Sequence, residues 1–419
     1  MPECRPGYLA LVRNPAFIPL LLSQAITNLG DGLFAVVLVC VAVKIGASPG
    51  QLGVITCGLA LPRGVLGPLG GVIADRTDKK RMLLAIEWLR SGVMILIAVL
   101  GGIVGLNVWA LALAGLVVSA LYAAAAPAAR SLIPLLVPDG QLQLANSMVQ
   151  GITWPAYFLG AGLFALAQHA LAPVHLFFLV LGCFALSSLV LMTLPSRGRV
   201  TSTARLSSQQ IVSDLVIGYR ALRGHPVLYV RVMTYALYSF FWRGLLQVAL
   251  PLLVLRALPL YASLYGALML ANGLCELVSN LVIGKIHVSR PLHIAYAGEL
   301  IMGLAAWGMM LSAHFPQQVY GLYFAAVLVG ISAALIDIPL MTELQRHIPQ
   351  QHIGKVLSYW FSIGAVGGGA GSLICGLVLE HVALVPALIS SGGLLGLFGV
   401  AMLMWYRRCL APLPVGDGA

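Results

Sequence analysis

Twelve apolar stretches, each long enough to cross a bilayer, recur along this chain and decide which solvent it must fold in. They fall at roughly 16–43, 51–73, 82–104, 108–130, 145–168 and 174–194. After a polar interval from Ser196 to about His225 they resume at 227–254, 262–284, 292–313, 319–341, 356–379 and 383–405. With 60% hydrophobic and 9% charged residues and a mean hydropathy of +0.96, the chain has more apolar surface than a water-soluble core can hide. The spacing predicts an all-α membrane protein of twelve transmembrane helices in two six-helix bundles, residues 1–195 and 227–419, joined by a cytoplasmic linker at 196–226. The first run, from about Phe17 to Val43, is longer than a signal-peptide core and no small-residue cleavage site follows it, so it is read as a retained span. Within the linker, Ile211, Leu215, Ile217 and Leu222 fall near one helical face against Asp214, Arg220 and Arg223, the pattern of an amphipathic linker helix.

A net charge of +11 raises the question of nucleic acid, which the distribution of the charges answers. Basic residues gather in cytoplasmic loops of polytopic proteins. With the N-terminus inside, eighteen of the 24 Lys and Arg fall on the cytoplasmic side, Lys44 and Arg256 on the outer side, and Arg63, Arg90, Arg231 and Arg243 within spans. Topology accounts for the surplus, so no nucleic-acid partner is expected and both termini are placed in the cytoplasm of an inner (plasma) membrane protein. The seven cysteines are scattered without C-x-x-C spacing, which indicates neither a disulfide framework nor a zinc site.

Shifted on itself by about 212 residues, the chain aligns Gly32 with Gly244, Lys44 with Arg256, Glu87 with Glu299 and Pro127 with Pro339, as a duplicated unit would. The same shift sets Asp31 against Arg243 and, with one residue added, Arg63 against Glu276. Each unpaired charge at mid-membrane costs about 2.5–3.5 kcal/mol, so these four must face one another or a wet cavity. Asp31 and Glu276 are therefore the candidate proton carriers. Arg63 and Arg243 are the candidate anchors for acidic groups of a substrate, with Trp242, Tyr157 and Asp337 beside them. Burial disfavours a carboxylate and a nearby guanidinium favours it, so a changing separation could switch protonation. The alternative is a set of permanent ion pairs between helices. Glu87 and Arg90, three apart, form a structural pair on one helical face.

The segment GVIADRTDKKR, Gly71 to Arg81, lies between the second and third runs. It resembles motif A of the major facilitator superfamily, of Gly-x-Leu-Ala-Asp-Arg-x-Gly-Arg-Lys type. Gly71, Ala74, Asp75, Arg76, Lys79 and Lys80 match it, and Asp78 stands where the family has Gly, a place Asp tolerates by capping its own backbone. The resemblance implies two parallel six-helix repeats rocking about a midplane site. It also implies that Asp75 latches the halves by meeting the positive end of the eleventh span near Lys355, with Arg130 as a second partner. PAARSLIPLLVPDGQLQLANS (Pro127–Ser147) and HIPQQHIGKVLS (His347–Ser358) are similar to the branch holding macrolide-efflux proteins and the enterobactin exporter, which implies export. GITWPAYFLGAG in span 5 resembles the exporters' motif C in part. Trp154 replaces its Gly before Pro155, so antiport polarity is not carried over from that motif. Glycines 364, 367, 368, 369 and 371 in span 11 permit close helix contact.

No G-x-x-x-x-G-K-[ST] loop and no H-E-x-x-H is present, so neither ATP hydrolysis nor enzymatic chemistry is expected. No His-rich tract points to a metal, and no cofactor is called for. The expectation is a monomeric secondary transporter that exports a small amphiphilic or acidic compound, a siderophore ahead of a macrolide, by alternating access with proton antiport. Its partners are substrate, protons and the bilayer. A lysophospholipid flippase of the related facilitator type, or a non-transporting receptor of the same fold, are the alternatives.

Overall fold

The structure, a computed structural model, describes residues 11–138, 141–168, 170–195, 208–257, 264–285, 291–315 and 320–410; at 68–76, 208–215 and a few scattered positions it describes the backbone alone. Among these residues the chain is helical and turns only at short connections. The helices of the first half are α1 (Ile18–Lys44), α2 (Pro49–Arg76), α3 (Lys79–Ile103), α4 (Val108–Leu136), α5 (Leu142–Ala167) and α6 (Pro173–Met192). The linker forms α7 (Ser208–Arg223), and α8 (Pro226–Arg243), α9 (Leu264–Lys285), α10 (Pro291–His314), α11 (Tyr320–His347), α12 (Gln350–His381) and α13 (Leu384–Leu410) follow. Ten of the described helices are long and apolar enough to cross a membrane, and α5 adds a shorter apolar stretch, Gly151–Ala167. The chain is an all-helical, multi-span membrane protein.

The helices run alternately between two ends. One, the linker face, carries the connections at 77–78 and 224–225; the other, the far face, carries those at 45–48, 104–107 and 382–383. α1 packs on α5 and α6, α3 on α4 and α6, and α2 on α4; in the second half α8 packs on α12, α9 on α11, and α10 on α11 and α13. Between the halves α2 lies along α12 and α5 along α9.

Apolar packing shows at which depth the halves are joined. The largest cluster occupies the far-face half and mixes both sides, bringing Phe34, Leu38 and Phe164 together with Leu246, Leu253 and Leu268. Toward the linker face it divides into two separate clusters. One is built on Leu20, Leu132 and Leu191 of the first half, the other on Leu228, Tyr296 and Trp360 of the second. The α2–α12 seam behaves likewise: a Cβ at Gly64 would meet Ala365 Cβ at 2.7 Å, whereas at Gly67, one turn closer to the linker face, it would meet nothing within 4 Å.

Three local results depart from or sharpen the sequence expectations. The motif segment is mostly helix, because α2 continues to Arg76 and α3 starts at Lys79, leaving only Thr77 and Asp78 between them. Asp78 is the N-cap of α3, its Oδ1 accepting from the Arg81 N–H at 2.9 Å, so the residue in the family's glycine position supplies a donor-satisfying cap. α8 runs on past Arg243 through π-helical turns at Gly244–Ala249 and Leu253–Ala257 on either side of Pro251, which lacks the N–H a regular helix needs. α7 packs on the second half: Leu222 is buried with Val232 and Trp360, and Gly218 sits against the Lys355 backbone.

Candidate transport site

Charges collect near the middle of the helices, where the shared core divides. In the first half, Arg90 of α3 donates to the Asp31 carboxylate of α1 and lies 3.5 Å from Glu87 Oε1 one turn back. All three side chains are at most 5% exposed. Thr27 Oγ1 donates to Glu87 Oε1 at 2.8 Å and lies 2.7 Å from Ser187 Oγ on α6, while the Arg90 guanidinium sits 4.1 Å over the Phe184 ring. Asp31 thus pairs within its own half and not with Arg243. The repeat offset identifies equivalent positions, which a pseudo-rotation relates; it does not bring them into contact.

The second half has its own buried pair, Arg231 of α8 with Glu299 of α10, both fully enclosed, with the guanidinium 4.7 Å over the Tyr296 ring. The equivalence of Glu87 and Glu299 was the available signal: each third helix of a half brings one buried glutamate to an arginine. Sequence reasoning missed the pair because Arg231 and Glu299 are 68 residues apart and the shift aligns no arginine with Arg90.

Glu276 of α9 has no arginine partner among the described residues. Its electrostatic neighbour is Asp337 of α11, and both act on Tyr238 of α8. Asp337 also faces the Tyr235 hydroxyl, and one of its carboxylate oxygens, Oδ1, is buried without a hydrogen bond. The expected Arg63–Glu276 pairing is therefore replaced by a cluster of two acids and two tyrosines on α8, α9 and α11.

The two remaining arginines lie between the halves. Arg63 of α2 stacks 4.2 Å over Tyr122, its Nε buried without a hydrogen bond. Arg243 of α8 passes beside Gly368, donates to Gln247 Oε1 at 2.9 Å and lies 5.8 Å from the Trp242 ring centroid. Arg63, Tyr157 and Cys57 are all within electrostatic range of Arg243. Neither arginine forms an ion pair among the described residues. Two cations held near each other without counter-charge, with π faces beside them, are suited to receive an anionic group. Gln247 continues into a narrow crevice lined by Tyr157, Phe158, Trp242, Tyr265 and Asn272. It offers ring faces and amides but no carboxylate.

Of the gating residues, Lys80 donates to the Met192 carbonyl at 2.8 Å and to that of Leu194, closing the C-terminal end of α6 in its own half. Lys79 is half-buried and Arg130 exposed. Gly71 lies in the last turns of α2, and the side chains of Asp75 and Arg76 lie outside the described residues, as does the latch assigned to Asp75. The span-11 glycines form the seam on which α12 meets its neighbours. A Cβ at Gly367 or Gly371 would come within 2.3 or 2.0 Å of the carbonyls of Ala236 and Phe240 on α8.

Sequence comparison gives both the class and the family of this multi-span helical protein. Residues 20–372 match the model of the Major Facilitator Superfamily, and the chain belongs to that family. It is 26% identical over 400 residues to the uncharacterized MFS-type transporter YfiS of Bacillus subtilis, covering 94% of each chain. It is 22% identical over 347 residues to macrolide efflux protein A of Streptococcus pyogenes, covering 80% of this chain and 82% of the relative. Among solved structures, a POT family transporter in complex with 5-aminolevulinic acid superposes with a TM-score of 0.77 at 12% identity, over 97% of this chain and 99% of that one. The nucleoside transporter NupG gives 0.73 at 12% identity, over 94% and 98%. These likenesses carry the fold; the chain is a secondary transporter and not an enzyme.

Proposed function

We propose that this transporter exports a small acidic amphiphile across the plasma membrane by alternating access, in exchange for protons. The observation that carries the reading is the placement of Arg63 and Arg243, one from each half, within range of each other and without an acidic partner among the described residues. A carboxylate or catecholate bound between them would satisfy both guanidinium groups through charge-assisted hydrogen bonds, and its apolar body would lie against Tyr157 and Trp242. A cationic macrolide would need a free carboxylate at that place; Asp31 is engaged by Arg90, the crevice lining holds no acid, and Glu276 and Asp337 belong to the cluster on α8, α9 and α11 that is assigned to protons. This favours a siderophore-like cargo, although the relatives named for macrolide efflux support export as the direction.

Proton uptake is assigned to Glu276, which has Asp337 beside it, and to Asp31, whose cluster holds two carboxylates to one guanidinium. In each place one bound proton removes an excess negative charge from the interior. The excess of Lys and Arg puts the linker face and both termini in the cytoplasm. The two bundles of residues 1–195 and 227–419 are then the rocking bodies.

The test is accumulation in inverted vesicles with and without an imposed pH gradient, offering a catecholate siderophore, a macrolide and a lysophospholipid. Gradient-driven accumulation of the siderophore, lost in the Arg243→Gln variant, is the expected result. Macrolide or lysolipid accumulation unaffected by that substitution would overturn the reading.

A further inference from the structure

At the far face, the last turn of α12 meets the first turn of α2 across the boundary between the halves. Ser48, the N-cap of α2, donates from Oγ to Glu380 Oε1 at 2.6 Å, and the Gly50 N–H donates to the same oxygen at 3.2 Å. The Ser48 hydroxyl also accepts from the Gln51 N–H at 3.1 Å, so it caps its own helix and holds the carboxylate together. The first turn of α2 has no acidic residue of its own. The negative charge that complements its positive end comes from the other half of the molecule. Glycine is required at 376 for the helices to approach, since a Cβ there would lie 2.4 Å from the Pro49 carbonyl, and Gly50 leaves open the place that the Glu380 carboxylate occupies. A second cross-half contact lands on the same segment, where Arg256 donates to the carbonyl of Ala47.

We infer that Glu380 is a gate residue: its carboxylate holds the far face shut by capping α2 from the opposite half and releases it when the transporter opens on that side. Arg231–Glu299 is sealed in apolar packing, so separating its charges would strand both of them. Glu380 is exposed, so when the helices part, water takes over both the carboxylate and the freed N–H groups. The contact is therefore breakable once per cycle. α2 and α12 run antiparallel along one seam, which is closed at Ser48 and Glu380 and open at Gly67, one face shut while the other is not. If the helices rock about their middles, closing the linker-face end of this seam breaks the Glu380 cap. The inference rests on the alternating-access part of the proposed function and is independent of the cargo and of proton coupling.

Amide hydrogen exchange on the full chain in lipid nanodiscs, comparing wild type with Glu380→Ala and Glu380→Gln, tests it. In Glu380→Ala, peptides covering 46–53 should exchange faster, while peptides at the linker face, 134–141 and 348–354, should exchange more slowly. The population ratio should change roughly two- to fivefold, the range for one exposed charge at a helix N-terminus. Glu380→Gln, which keeps an acceptor but no charge, should fall between. Faster exchange confined to 46–53, without protection at the linker face, would reduce Glu380 to a local cap and overturn the inference; so would no change at all. If Glu380→Ala does not fold, Ser48→Ala carries the same reciprocal prediction. Failure of siderophore accumulation in wild-type vesicles would refute the cargo and leave this exchange pattern untouched.

Discussion

Arg90 of α3 is the one cation between two acids, donating to Asp31 of α1 while Glu87 lies 3.5 Å from it, and none of the three side chains is more than 5% exposed. Removing the arginine and removing one acid are therefore unequal changes. Arg90→Leu leaves two enclosed carboxylates without a counter-charge and should destabilise the protein by about 3–5 kcal/mol. Asp31→Asn leaves a one-to-one pair and should cost less. Thermal unfolding in detergent, followed by tryptophan fluorescence, gives the order. A larger loss for Asp31→Asn would mean that the cluster is not arranged around Arg90.

The Arg231–Glu299 pair makes a complementary prediction, because it is balanced and lies wholly inside the second half. Glu299→Gln alone should destabilise by about 3–5 kcal/mol, since it strands a buried guanidinium. Replacing both residues by Met and Leu should recover most of the loss, because an apolar pair of similar volume carries no desolvation penalty. If the double variant is no better than the single one, the pair has a role beyond local neutralisation, and transport by the double variant would then locate it.

Arg63 and Arg243 should act on affinity and not on folding. Each is expected to form hydrogen bonds to an ionised group worth about 1.5–3 kcal/mol, so Arg243→Gln should raise the KM for an acidic cargo roughly tenfold or more, with melting unchanged. Arg243→Lys should not restore it fully, because a point charge cannot reproduce a planar fork that also holds Gln247. Equal KM values in wild type and Arg243→Gln would show that the anion binds elsewhere.

Much of this architecture was legible in the sequence because bilayer thickness sets helix length, which leaves a mark that needs no partner to interpret. The α2–α3 segment shows where that reading stops. Motif resemblance identified Gly71 to Arg81, yet helix propensity and the Asp78 cap carry the helix through most of it. Intramembrane charges could be found from cost alone, but of their partners only Glu87 and Arg90, three apart on one helix, could be read from spacing. Asp31 and Arg90 are 59 residues apart, and only the packing of α1 and α3 around α6 brings them together. The π-helical turns after Arg243 were equally hidden, since Pro251 marks a missing donor without stating how the helix adapts. Glu380 drew no reading from the sequence, because its partners Ser48 and Gly50 stand 332 and 330 residues away.

Glu276 provides the direct test of proton coupling. It has Asp337 for an electrostatic neighbour and no arginine partner among the described residues, so neutralising it should not strand a cation. Glu276→Gln should fold and melt as the wild type does. Gradient-driven accumulation should be lost in this variant, because an amide takes up no proton, whereas exchange of labelled for unlabelled substrate across the membrane, which needs no net proton movement, should persist. The ratio of driven accumulation to exchange is therefore the quantity to measure, and Asp337→Asn should lower it in the same direction. Full pH-gradient-driven transport in Glu276→Gln would remove Glu276 from the coupling pathway and leave the Asp31 cluster as the remaining carrier. Loss of both driven transport and exchange would assign Glu276 to substrate binding.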